Sequence, residues 1–466
     1  MTTMDRLSPL DAMFLHVEDG IGHMHIASCA VLEGPAPPYE EVVALIESKL
    51  PLIPRYRQRV RFVPGGLGRP VWVDDPHFRL DYHVRHTALP PPGSIQDLRN
   101  LMGRLMSQEL DRNRALWETW IVEGLDDGTW ALISKVHHCM VDGVSGTDLM
   151  AVVLDSERDG EPPEPEEWKP SPEPSDAELL RHAFSDTLTT PAEMVRWGRS
   201  LTRHPRRVSG ELGEMWQGAQ SLSGRLRPNV ELSIEGSIGP HRRWAWARSN
   251  LDEIKRIRAG LGGTVNDVVL AAITSGFRDL LLSRGDPVEE DTVVRTLIPV
   301  SVRSGDDHTP NNQVSGMIAE LPVGIDDPVE RLDAIRTQMQ DLKGSHQADA
   351  GKALTDIANV TPPALLAFSL RTSASMLRRA PQRSVNTVTT NVPGPRVPLF
   401  ACGRELLEYF PFVPLSHGVR TGVAILSYNR KVAFGVTGDW DTVPDIDVLT
   451  EGIESGMEGL LEAAGA

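Results

Sequence analysis

One stretch divides the chain before any element is assigned. Residues 155–176, "DSERDGEPPEPEEWKPSPEPSD", are dense in proline and glutamate. Proline removes backbone donors and breaks helices, and a run this poor in apolar side chains cannot offset the entropy of ordering. The stretch reads as a solvated linker. A chain of 466 residues exceeds what one ordinary core organises, so the break points to two globular halves. The expected division is an N-terminal domain over 1–155, a linker with connecting helices over 156–237, and a C-terminal domain over 238–466.

Composition narrows the function classes. The formal charge of −17 argues against a general nucleic-acid binder. No apolar run reaches the roughly 18–20 residues that cross a bilayer, and "MTTMDRLSPLDAMFL" lacks the basic-then-apolar layout of a signal peptide. Cys29, Cys139 and Cys402 are too few and too scattered for a disulfide framework and fit a reducing interior. A cytoplasmic protein is expected, with peripheral docking on the inner membrane or on lipid inclusions left open.

Strand and helix patterns interleave in both halves. "TWALISKVHH", "VVRTLIPVSV", "VNTVTTNV" and "KVAFGVTGDW" read as strands, and the first part of "YEEVVALIESKLPLIPRYRQRV" as a helix. "TVNDVVLAAITSGFRDLLLSRG" predicts a helix opening at Asn266 or Asp267 and closing near Gly285. The fold class is mixed α/β, with two layered domains.

The chemistry concentrates in "SKVHHCMVDGVSG", residues 134–146. On a strand ending at His138, Trp130, Leu132, Ser134, Val136 and His138 share one face, and Ala131, Ile133, Lys135 and His137 the other. Adjacent histidines pointing apart cannot easily clasp one metal, unlike ligands on one helical face. That favours a packed polar corner or a catalytic base over a metal site. His138 lies nearer the turn in which Gly143 reverses the chain, and an imidazole can take a proton from an alcohol and return it to a leaving group. Asp142 could fix the turn, pair with an arginine or orient the ring. Cys139 could be a thiolate nucleophile, but its strand position aims it away from His138 and favours a small buried residue.

"HHCMVDG" resembles the HHxxxDG signature of the CoA-dependent acyltransferase superfamily. "LSPLDAMFLHVE" with "HMHIA", "DRNRALWETWIVEGL", "GGTVNDVVLA", "LIPVSVR" and "TTNVPGP" narrow the resemblance to the bacterial wax ester synthase/diacylglycerol acyltransferase family. The resemblance runs from about residue 7 to 445, interrupted by the linker, and departs from the family pattern at Ala115, where the family has proline. Without proline's fixed φ the Ala-Leu-Trp segment is expected to pack differently, with the chemistry kept.

The resemblance implies two chloramphenicol-acetyltransferase-like layered α/β domains with the active site in a tunnel between them. It implies acyl-CoA as substrate, no cofactor and no metal, and diacylglycerol or a long-chain alcohol as acceptor. The implied catalytic set is His138 as general base, with His137 and Asp142. Gly143, Asn266, Asp267, Arg303, Thr390 and Asn391 would bind substrate or support the site. Thr389, Thr390 and Asn391 are candidate donors to the oxyanion, against the plain reading of a strand ending in a Pro-Gly turn. Asn266 and Asp267 are equally good helix caps. Asp142 is expected to pair with Arg303. Arg196, Arg199 and Arg203 form a basic stripe for a lipid surface or a solvated face, and Arg371, Arg378 and Arg379 could meet CoA phosphates. Two alternatives stay open: a superfamily member with a non-lipid acceptor, and a catalytically silent lipid-inclusion protein.

Overall fold

The structure is a computed structural model, which describes residues 4–141, 148–160, 168–185, 231–301, 314–344 and 384–465. In the first half, helix α1 (Pro9–Val17) precedes strand β1 (His25–Leu32) and helix α2 (Tyr39–Lys49). Strand β2 (Val84–Ala88), helix α3 (Ile95–Met106), strand β3 (Trp117–Glu123) and strand β4 (Trp130–His137) follow. Ser8 caps α1 by accepting from the Asp11 amide, which closes a free end with a local side chain.

In the second half come β5 (Arg242–Asn250), helix α4 (Val265–Arg284), β6 (Val294–Ser301), β7 (Val314–Leu321) and β8 (Thr387–Pro393). Short β9 (Phe400–Ala401), β10 (Arg404–Phe412), β11 (Thr421–Tyr428), β12 (Lys431–Asp439) and helix α5 (Ile446–Ala463) complete it. The second sheet has the order β7-β6-β8-β11-β12-β5. Helices α4 and α5 pack together in its core, where a Cβ on Gly276 would lie 2.5 Å from the Leu449 carbonyl oxygen. Only glycine allows that backbone approach.

The first sheet has the order β9-β10-β1-β4-β3-β2. Residues 400–412 therefore leave the C-terminal stretch and complete the N-terminal sheet, with β10 antiparallel to β1. A division at one contiguous boundary does not describe this crossing. Alternation along a strand shows which face is apolar but not which neighbour it pairs with. The crossing strand also seals the two halves together. Phe410 stacks on Trp246 of β5 at 4.3 Å, and Gly435 of β12 lies so close to the Pro411 carbonyl that a Cβ would be 1.8 Å from it.

The alternation on β4 is as expected. Trp130, Leu132 and Val136 enter the core under α1 and α2, and Ala131 and Ile133 enter the core shared with α3, Trp244 and Trp246. Among the described residues no helix is long and apolar enough to cross a membrane.

Candidate active site

Strand β4 ends at His137, and His138 begins a 3₁₀ turn over His138–Met140. His137 is the residue that caps this turn. Its Nδ1 accepts from the Cys139 amide at 3.1 Å, so its proton sits on Nε2, which donates to Glu18 Oε2 at 2.8 Å. Both nitrogens of that ring are engaged, and the histidine is held in one tautomer. Its backbone N–H donates to the Leu116 carbonyl at 2.9 Å.

Glu18, the residue after α1, is the partner that sequence reasoning missed. It lies 119 positions from His137, and although it closes the quoted "LSPLDAMFLHVE", nothing local marks it as that partner. Its Oε2 also accepts the Met24 amide at 3.0 Å, and its Oε1 lies 3.3 Å from the Arg112 guanidinium. Burial would raise the carboxyl, but the His137 hydrogen bond, the Met24 amide and Arg112 outweigh it and hold the group at about 2. His23 and His25, from the quoted "HMHIA", stack at 5.3 Å beside this cluster, and burial keeps both below the usual histidine range.

His138 has different surroundings. Its ring stacks on Phe14 of α1 at 4.1 Å, and its backbone N–H donates to the Met24 carbonyl at 2.8 Å. Nδ1 is buried, with no hydrogen-bond partner on another described residue. Burial is the main reason that the ring is pushed down to about 4. A ring in this setting is neutral at pH 7 and free to accept a proton. The two histidines do not simply point apart. Phe14 and Glu18, one helical turn from each other, let α1 and its end hold both.

Cys139 is buried in the apolar core, and burial pushes its thiol well above the usual range. That is the opposite of an activated thiolate.

The helix opening in "TVND" differs from the expectation. Helix α4 starts at Val265 and its cap is Thr264, whose Oγ1 accepts from the Asp267 amide at 3.2 Å. Asp267 answers by accepting the Thr264 amide at 2.7 Å, so it sits in the first turn as the far half of a capping box. The T-x-x-D spacing carried that signal. Asn266 faces the other way and meets Asn391, whose Nδ2 donates to its Oδ1 at 3.4 Å. Thr389 is buried and bonded to Thr296 at 2.8 Å, while Thr390 is half-buried and Asn391 exposed.

Ala115 is buried, and Leu116 and Trp117 are fully so. Trp117 donates to the Tyr56 carbonyl at 2.8 Å and stacks on His83 at 4.7 Å. Asp142, Gly143, Arg303, Arg196, Arg199, Arg203, Arg371, Arg378 and Arg379 lie outside the described residues.

The family model for the wax ester synthase/diacylglycerol acyltransferase catalytic domain matches residues 7–269, and that for the WS/DGAT C-terminal domain matches 311–460. A Mycobacterium tuberculosis protein named "probable diacylglycerol O-acyltransferase" is 37% identical over 98% of this chain and 96% of its own length. The chain belongs to the wax ester synthase/diacylglycerol acyltransferase family.

A solved wax ester synthase/diacylglycerol acyltransferase from Marinobacter aquaeolei superposes on this family member with a TM-score of 0.68 at 25% identity. It covers 99% of this chain and 100% of that one. The starter condensation domain of rhizomide synthetase, 14% identical with a TM-score of 0.58 over 100% of this chain and 95% of its own, shares the fold. The catalytic-domain match on this chain, residues 7–269, spans α1, Glu18, both histidines and the Thr264 capping box.

Proposed function

We propose that the protein transfers a fatty acyl group from acyl-CoA to the free hydroxyl of diacylglycerol, forming triacylglycerol, with His138 as general base. The observation that carries the assignment is the setting of His138. The imidazole is kept neutral by burial, braced by Phe14 and fixed through its backbone to Met24. His138 takes the proton of the acceptor hydroxyl as the oxygen attacks the thioester carbonyl. The tetrahedral intermediate then collapses, the C–S bond breaks, and the imidazolium returns its proton to the departing CoA thiolate. The burial that keeps the resting ring neutral makes that imidazolium a ready acid. Positioned acid–base catalysis supplies about 10²–10⁴-fold, so proximity and oxyanion stabilisation carry the rest.

His137 holds the turn and not the reacting proton, because both its nitrogens are already bonded. Asp142 paired with Arg303 would brace the same turn from the other half of the chain, and Gly143 would let it reverse. Asn266 and Asn391, which meet across α4 and β8, with Thr390 beside them, would line the substrate path. Long-chain alcohols present the same hydroxyl, so wax esters are a second product class. Diacylglycerol resides in lipid phases, so the protein would meet a lipid surface peripherally.

The test is product analysis with purified protein, acyl-CoA, and diacylglycerol and hexadecanol in competition. Acceptor-dependent CoA release with triacylglycerol as product supports the reading. Release only with a non-lipid acceptor, or none at all, overturns it.

A further inference from the structure

We propose that residues 18–24 form a tie between the two halves of the protein, and that Asp19 and His417 are positioning residues for acyl transfer. The inference rests on the reading of His138 as the base.

Both ends of this loop hold the histidine pair. Glu18 accepts His137 Nε2, and the Met24 carbonyl accepts the His138 backbone N–H at 2.8 Å. Glu18 and Met24 are themselves joined, amide to carboxylate, at 3.0 Å. A shift of the loop would therefore move both rings together.

The middle of the loop is anchored on the other half. Asp19 Oδ1 accepts the Ile21 and Gly22 amides at 3.0 and 2.9 Å, which fixes the turn. Its Oδ2 accepts from His417 Nε2 at 2.8 Å, with the proton on that nitrogen because a carboxylate can only accept. His417 lies between β10 and β11, the connection from the first sheet to the second. Two residues along, the Ile21 carbonyl accepts from Arg242 at the start of β5. Arg242 is buried, donates also to the Gly239 and His241 carbonyls at 2.6 and 2.9 Å, and lies 3.9 Å from Asp439 of β12. The connection into the second sheet and the start of β5 thus grip the loop at two points, and the loop grips the histidines at two others.

The Asp19–His417 pair is the part of this tie that can be removed without opening a core, since both side chains are about one-quarter to one-third exposed. It touches no reacting atom. Its effect would pass through contiguous hydrogen bonds to the geometry of the base, where misplacement by about 1 Å can cost about 100-fold in rate.

The experiment compares His417→Ala, His417→Gln and His138→Ala in steady-state acyl transfer by the full chain, with thermal unfolding alongside. His417→Ala is expected to lower kcat about tenfold, with KM for acyl-CoA within about twofold and Tm nearly unchanged. His417→Gln, whose amide can still donate to Asp19, is expected to recover most of kcat. An unchanged kcat in His417→Ala, a loss confined to KM, or no recovery in His417→Gln overturns the inference. If His138→Ala loses transfer in those cases, the general-base reading stands without the tie. A fully active His138→Ala overturns that reading itself.

Discussion

Replacing Glu18 by glutamine removes a charge from a side chain only 2% exposed that serves three donors. His137 Nε2, the Met24 amide and the Arg112 guanidinium all face its two oxygens. Its carboxyl is held at about 2 against an ordinary value of 4.5, a difference worth about 3 kcal/mol of folded-state stability at neutral pH.

The direction in pH follows from the depressed folded value. The contribution of Glu18 is fully present above pH 4.5 and is lost as pH falls through 2. Glutamine does not titrate, so the gap between wild type and Glu18→Gln should be about 3 kcal/mol at pH 7 and shrink to about 2 kcal/mol by pH 3.5. Urea unfolding at a series of pH values measures it. Equal stability at pH 7, or a gap that stays constant into acid, would refute the argument that the carboxylate is stabilised by these three donors. Acyl transfer should fall as well, because an amide oxygen kept on His137 and Met24 turns the NH₂ towards the Arg112 guanidinium, donor against donor, and loosens the cluster that holds the histidines.

Other outcomes follow from the same geometry. His138→Ala should retain its fold and lose about 10²–10⁴-fold in transfer, whereas His137→Ala should mainly lose stability. Because the His138 ring is depressed to about 4 from 6.5, its neutral form persists into acid, so the acid limb of kcat/KM should fall well below pH 6.5. A limb centred at 6.5 would show a solvated base instead. The same depressed value means that its contribution to stability is full above pH 6.5 and drains as pH drops towards 4. Cys139→Ala should stay active, and an acyl group trapped on Cys139 would replace direct transfer with a two-step mechanism. Asp142→Ala and Arg303→Ala should each lower Tm, and the double variant should lose less than the sum, whereas strict additivity would dissolve the pair.

The sequence by itself determined what local patterning can determine. The period-two alternation set the two faces of β4, glycine at 285 set the end of α4, and HHxxxDG with its companion segments carried the family. Even the Thr264 cap was written in "TVND", although the asparagine and aspartate drew attention first. Tertiary structure decided which distant groups meet. Nothing near Glu18 announces that it will fix His137, because the bond joins a helix end to a strand end 119 residues away. The crossing of β10 into the first sheet and the docking of Asp19 on His417 are of the same kind. Periodicity and capping act within a few residues, while partner choice follows from how separately formed faces bury against each other, and burial carries no record in the order of the chain.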